Sequence, residues 1–416
     1  MLKVLLICLC ALHVSAQSVD LPEELIARKG LPNFLRKLQH SHDTITIAYL
    51  GGSITAANNG WRDKTYSWLE KQYPDVVFKQ INATIGGTGS RLGVHRLDDH
   101  VLKYKPDLLF VEFAVNDHDA GRKSVLTSME AIVRKTWKAY PETDICFVYT
   151  FAYYLLKDYN NGVLPSSVKA MEDIAGYYGI PSINLSPKIV KLINTKKLFL
   201  NGKQPFQNDS TFFSADIGVH PFAETGHTYY AESIINSIKK LDNIGKVARH
   251  LLGPVYYSSK LEKATMVNIT SNMITGNFED ISTHDNKQED LQRFSRYVSD
   301  IFKVYDNATL SFSFSGQSIG FFDIQGPSSC QLKILIDNDL PRYIGRFDKY
   351  SSNNRLSYFF IDGLENKKHN ISVQLSDMKI DKFSILKKSP SEVEAPNRFN
   401  EYCWMVASIL SDGEIY

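Results

Sequence analysis

Four separated stretches of the 416-residue chain hold side chains that could share one chemistry. "GGSIT" places Ser53 behind two glycines, and "ATIGGTGS" supplies a glycine-rich loop. "AVNDHD" offers Asn116 and Asp117, and "SADIGVHPFAETGH" carries Asp216 and His220. A serine hydroxyl is a weak nucleophile until a base, usually histidine, lies within hydrogen-bond reach. A carboxylate can hold that imidazole in the tautomer that takes the serine proton. Backbone N–H groups of a glycine loop and an asparagine amide can stabilise the oxyanion of a tetrahedral intermediate, each worth about 3 kcal/mol. Together these groups make a kit for acyl transfer.

Such a kit works only if the fold gathers it. From Thr44 to about Lys240, short apolar runs alternate with helix-like segments. "TITIAYL", "VVFKQINA", "DLLFVEFAV", "DICFVYTF" and "PSINL" are separated by helical patterns near 64–72, 91–104, 126–139 and 166–178, with a last one near 227–239. The runs show little alternation, as expected of parallel strands covered on both faces. The order predicts an α/β fold, a doubly wound parallel sheet, whose active site lies at the carboxyl ends of the strands. Ser53, the glycine loop and Asn116 each follow a strand, so one rim collects them.

In these blocks the chain resembles the SGNH (GDSL-type) hydrolases, whose markers are a Ser, a Gly, an Asn and a His in four separated blocks. "GGSIT" is similar to the first, "IGGTGS" to the second with Gly87 as marker, "FAVND" to the third with Asn116, and "VHPFAETGH" to the last with His220. The resemblance covers roughly 200 residues. It implies Ser53 as nucleophile, the N–H groups of Ser53 and Gly87 with the Asn116 amide as oxyanion hole, and His220 as base. It implies no metal and no organic cofactor. The family pattern is Asp-x-x-His, but here Ile217 stands three before His220 and Asp216 four before. Two readings follow: Gly218 lets the turn absorb the shift and Asp216 completes a triad, or a Ser–His dyad works with another group orienting the imidazole.

Other candidates are weaker. Trp61 and Arg62 follow the nucleophile loop and could line a substrate pocket or pack beneath the next helix. Asp117, at a strand end, reads as a cap for the following loop. His95 and His100 lack the spacing or cysteine partners of a metal site. The aromatics of "SYFF" and "GFFDI" read as core strands before they read as a sugar-binding face.

After the α/β region the pattern changes. From Thr309, Leu310, Phe312 and Phe314 alternate with serines, and more short strands follow between Gly, Asp, Asn and Pro turns. This is the signature of a C-terminal antiparallel β-sandwich. The expected organisation is a signal peptide at 1–16, a hydrolase domain at 17–243, a connecting segment at 244–300 and a sandwich at 301–388, its start falling as early as 255. The stretch 389–416, with "YCWMVASIL", receives no placement.

Composition bounds the rest. The chain has 47 basic and 45 acidic residues, net +2, which gives no electrostatic footprint for nucleic acid or an anionic membrane. Lys3, the apolar "VLLICLCAL" and Val14-Ser15-Ala16 read as an export signal cleaved after Ala16, so a secreted or periplasmic location is expected. The apolar run is far shorter than the roughly 20 residues of a membrane span, so no stable membrane insertion is expected. Cys146, Cys330 and Cys403, far apart and odd in number, form no disulfide framework. The expected activity is a serine esterase acting on O-acyl, above all O-acetyl, esters of carbohydrates. A broad short-chain ester hydrolase or lipase, and a degenerate domain that only binds glycans, are the alternatives. Oligomeric state is not legible.

Overall fold

Strands that are apolar throughout are buried throughout. β2 (Ile45–Gly51), β4 (Leu108–Glu112) and β5 (Asp144–Tyr149) are buried at every position. With β1 (Leu25–Ile26), β3 (Phe78–Thr84) and β6 (Ser182–Asn184) they form a six-stranded sheet in the order β1-β6-β5-β4-β2-β3. β2 to β6 run parallel, and the two-residue β1 runs antiparallel to β6 at one edge. The computed structural model describes residues 21–40, 43–284 and 289–416, so the segment 1–16 read as an export signal lies outside the described residues.

Successive side chains of a strand point to opposite faces, and both faces are covered. Ala48 and Leu50 of β2 and Leu109 and Val111 of β4 join the helices Arg122–Ala139 and Ser166–Tyr178 in one core. Ile47, Tyr49, Leu108 and Phe110 join the helices Pro32–His40, Trp61–Gln72 and Gly226–Leu241 in the other. β3 and β4 leave β2 on opposite sides, so a crevice opens where the strand order reverses. Between β6 and the last helix lies a small three-stranded sheet that the sequence pattern does not announce: β7 (Phe199–Asn201), β8 (Phe206–Gln207) and β9 (Ser210–Ser214).

The second half is a sandwich of two antiparallel sheets. One is β12-β13-β20-β15-β18, with β10 also paired to β20; the other is β11-β14-β19-β16-β17. The strands are β10 (Thr265–Asn268), β11 (Ile274–Thr275), β12 (Phe278–Ser282), β13 (Asp300–Val304), β14 (Thr309–Gly316), β15 (Ile319–Gln325), β16 (Gln331–Ile336), β17 (Arg342–Gly345), β18 (Arg355–Ile361), β19 (Lys367–Leu375) and β20 (Trp404–Ser411). Three strands therefore come from the stretch expected to connect the domains. Leu310, Phe312 and Phe314 of β14 face Phe321, Trp404 and Val406 across the sandwich core.

β20 corrects the missing placement of "YCWMVASIL". It lies between β13 and β15, buried at all eight positions. Its pattern does not alternate because it is covered twice. Trp404, Val406 and Ile409 face the sandwich core. Met405, Ala407 and Leu410, with Phe322 and Ile324 of β15, pack against Ile85 and Leu92 of the α/β domain. That shared cluster joins the two halves. At its margin Arg91 reaches Asp362 with 2.7 and 2.5 Å contacts and Ser318 at 2.7 Å, its guanidinium 3.8 Å from the centre of the Phe360 ring.

The Trp404 indole N–H donates to Asp323 at 3.0 Å, and Asp323 pairs with buried Arg346 at 2.6 and 2.7 Å. Trp404→Ala removes a large core side chain and one partner of a buried charge. It should destabilise the sandwich by about 4 kcal/mol in chemical denaturation; a cost under about 1 kcal/mol would mean that β20 is peripheral.

Candidate active site

The chain turns sharply out of β2 because two glycines let it. An added Cβ on Gly52 would stand 2.0 Å from Asn116 Oδ1, so the Asn116 amide fits only against glycine. Ser53 then opens a four-residue helix, Ser53–Ala56, and as its first residue it has an N–H without a helical partner. After β3, Gly86 and Gly87 come alongside. A Cβ on Gly86 would lie 3.4 Å from the Ser53 Cβ, and Gly87 takes φ +72°, a conformation glycine adopts freely.

His220 arrives from the far end of the domain. Its Nε2 lies 2.9 Å from Ser53 Oγ, and its Nδ1 lies 2.7 Å from Asp216 Oδ2. The four-residue spacing is taken up in the turn between them, where Gly218 has φ +85°. That turn is built on the carboxylate itself. Asp216 Oδ1 accepts the N–H groups of Gly218 and Val219, each at 2.9 Å. Ser214, at the end of β9, fixes the turn from below, accepting the Gly218 N–H at 2.9 Å while donating to Leu200 O at 3.1 Å. Partial burial pushes the Asp216 carboxyl up, but the Val219 N–H, the His220 imidazole and Ser214 outweigh it, and it sits below the usual range. It is therefore charged at neutral pH.

Ser53, Asn116, Gly87, His220 and Asp216 thus converge on one rim. Trp61 and Arg62 do not. Trp61 is 0% exposed, packed against Tyr49 and Phe110, and Arg62 is 4% exposed. The expectation that they line a substrate pocket is corrected: no part of either is free to meet a ligand. Arg62 instead braces the helix Ser53–Ala56, donating to Thr55 O at 3.0 Å and to Gln80 at 2.5 Å. Asp117 is buried and accepts the Ser90 N–H at 3.0 Å, capping the helix that follows the glycine loop. Burial raises its pKa to about 6 against the Ser90 hydrogen bonds. His95 and His100 are buried with pKa values lowered by burial to about 3, so both stay neutral. Among the described residues, no cluster of three or more His, Cys, Asp or Glu could hold a metal.

One group was hidden in an apolar strand. Glu112, the last residue of β4, is buried under the turn that carries Ser53. Its carboxylate accepts Thr55 Oγ1 at 2.8 Å and Thr150 Oγ1 at 2.9 Å, and also the Gly52 N–H. Only its position, a lone carboxylate in "LLFVE" at the rim, could have singled it out. Burial pushes its pKa up to about 7 despite these bonds.

Residues 49–225 match the GDSL-like Lipase/Acylhydrolase family. The chain carries a GDSL-like lipase/acylhydrolase domain. Its reaction class is carboxylic ester hydrolysis. Beyond the acylhydrolase domain, the whole two-domain fold has solved counterparts. A two-domain esterase active on acetylated mannans, co-crystallised with mannopentaose, is 19% identical, with a TM-score of 0.69 over 94% of this chain and 97% of that one. A second structure of an esterase so described is 20% identical, with the same coverage and TM-score. An acetylxylan esterase from Geobacillus stearothermophilus is similar over 47% of this chain and 94% of that one, at 16% identity and a TM-score of 0.38. No curated protein matches the chain.

Glu112 generates a prediction with a definite sign. Its folded pKa, about 7, lies above the ordinary 4.5, so between these values the folded state holds a proton that the unfolded state has lost. Stability relative to Glu112→Gln should therefore fall as pH rises from about 4.5 to 7, by about 3 kcal/mol, and stay level above. Denaturation of both proteins at pH 5 and pH 8 measures this. An equal difference at the two pH values would mean that Glu112 is ionised in the fold.

Proposed function

We propose that the protein is an exported serine esterase that removes acetyl groups from carbohydrates through an acyl-enzyme on Ser53. The observation that carries the reading is the continuous line from Ser53 Oγ to His220 Nε2 at 2.9 Å and from His220 Nδ1 to Asp216 at 2.7 Å, beside the Gly52–Asn116 contact. The architecture shared with a two-domain esterase active on acetylated mannans supports a polysaccharide substrate. Export is supported by the signal pattern at 1–16 alone.

In this mechanism Ser53 Oγ attacks the acyl carbon while its proton passes to His220 Nε2. The negative charge that forms on the former carbonyl oxygen is met by the N–H groups of Ser53 and Gly87 and by the Asn116 amide. His220 returns the proton to the departing sugar hydroxyl as the C–O bond breaks. A water then attacks the acetyl-enzyme, with His220 taking its proton, and acetate leaves as Ser53 regains a proton. Asp216 holds the Nδ1–H tautomer and stabilises the imidazolium in both halves.

Acetate release from acetylated polysaccharides, with Ser53→Ala alongside, tests the reading. Ser53→Ala should reduce turnover to background with the fold intact by circular dichroism; retained turnover would place the nucleophile elsewhere. Asn116→Ala should lower kcat about 10²-fold or more with little change in KM, because the oxyanion exists only in the transition state. A mainly KM effect would make Asn116 a substrate contact. Asp216→Asn should lower kcat by about 10⁴-fold, the loss expected when an imidazole is held in the wrong tautomer; unchanged kcat would favour a Ser–His dyad.

A further inference from the structure

The rim that holds Ser53 does not end at the acylhydrolase domain. A cleft of about 450 Å³ runs between the two halves of the molecule. Its floor adjoins the catalytic site: Ala56 ends the helix that Ser53 opens, and Gly86 abuts Ser53. Its opposite wall is built by the sandwich and by the turn leading into β13. Three arginines line it, Arg293, Arg296 and Arg355, and no aspartate or glutamate does.

The three are not equivalent. Arg355 is neutralised by Asp348. Arg293 and Arg296 are exposed and, among the described residues, have no carboxylate within salt-bridge distance. Arg293 donates to the Asn354 carbonyl and lies over the Phe294 ring, and Arg296 lies 4.5 Å from the centre of the Tyr297 ring. These contacts orient the guanidiniums without cancelling their charge. The turn that carries them is clamped to the acylhydrolase domain at buried Tyr297, whose hydroxyl donates to Thr84 O and whose carbonyl lies 2.9 Å from His100 Nε2. Arg296 also stands within electrostatic reach of the buried Arg62 and Arg96 guanidiniums beneath the floor. At the mouth, Tyr350 is 65% exposed and offers a ring face to a sugar.

Guanidiniums with no carboxylate partner among the described residues, on a turn clamped at Tyr297 and facing the loop that abuts Ser53, are placed to meet a planar anion with paired N–H donors, the geometry of carboxylate recognition. We propose that this interdomain cleft binds the sugar chain next to the esterified unit, and that Arg293 and Arg296 select acetylated glycans bearing a uronate carboxylate there. The inference rests on the esterase reading above and narrows it: the preferred substrate is an acidic acetylated glycan, not a neutral one.

The test compares kcat/KM for acetate release from an acetylated oligogalacturonide and an acetylated manno-oligosaccharide, with p-nitrophenyl acetate as a third substrate. The acidic glycan should be preferred at least tenfold at low ionic strength, and the preference should shrink as salt is raised. In Arg293→Gln/Arg296→Gln the ratio of acidic to neutral kcat/KM should fall to about one. In Arg293→Lys/Arg296→Lys, which keeps both charges but loses the paired donors, part of the preference should return, an outcome that a misfolded cleft would not give. Equal rates on the two glycans, or a preference that survives the glutamine pair, overturns the uronate proposal and leaves the carbohydrate esterase standing. Cleavage of p-nitrophenyl acetate with neither glycan touched overturns both.

Discussion

Three strand ends are tied to one buried carboxylate. Glu112 closes β4, accepts a hydroxyl from Thr55 just beyond β2 and another from Thr150 just beyond β5, and takes the Gly52 N–H. A buried acid is costly unless its oxygens are satisfied. Here two of the bonds that satisfy it, from Gly52 and Thr55, hold the chain on either side of Ser53. The turn that carries Ser53 is therefore set by what lies beneath it. Gly52 gives its N–H to Glu112 below and lies against the Asn116 amide beside it, so a side chain at 52 would displace that amide. The acid turn at 214–220 repeats the design at smaller scale: Asp216 gathers the N–H groups of its own loop and so presents its second oxygen to His220.

The second constraint is the sandwich. Its outer sheet is apolar because it is an interior surface, sealed against Ile85 and Leu92 at the base of the glycine loop. Burial of that kind stabilises by roughly 25 cal/mol per Å², whereas the exposed Arg91–Asp362 pair contributes on the order of 1 kcal/mol or less. The apolar seam holds the halves together, and the polar contacts fix their register. Tyr358 of β18 brings its hydroxyl within 3.4 Å of the Gly89 N–H, and Tyr297 reaches Thr84, so the loop beside Ser53 is shaped from both sides. His95 and His100 lie in the same seam, neutral and hydrogen-bonded to backbone carbonyls.

The parallel sheet could be read from the chain because strands buried on both faces leave uninterrupted apolar runs, and the residues directly after those runs fall on one rim by topology. That is why Ser53, the glycine loop and Asn116 could be named before their distances were known, while His220 rested on its own block near the end of the domain. The same logic misled at Trp61 and Arg62. They follow the nucleophile closely in sequence, but a helix that starts there turns both side chains inward. Glu112 escaped notice because periodicity sees one polar residue in an apolar strand and not the three donors that converge on it from other loops. β20 escaped because double burial erases the alternation that marks a sandwich strand. Arg293 and Arg296 sit in a stretch without regular pattern, and only the docking of the two halves brings them to the cleft beside Ala56 and Gly86.

The placement of β20 has a consequence for how the molecule is made. The strand arrives after all of its partners, yet it lies in the middle of its sheet, between β13 and β15 and alongside β10. Until it is synthesised, those three strands expose open edges, and the face that meets the acylhydrolase domain lacks Met405, Ala407 and Leu410. Parallel α/β domains can fold as they emerge from the ribosome, so the rim with Ser53 can form while the sandwich is still unfinished. The interdomain cleft cannot. Its far wall closes only when β20 slots in, which makes the eight residues Trp404–Ser411 a gate on assembly of the two-domain fold.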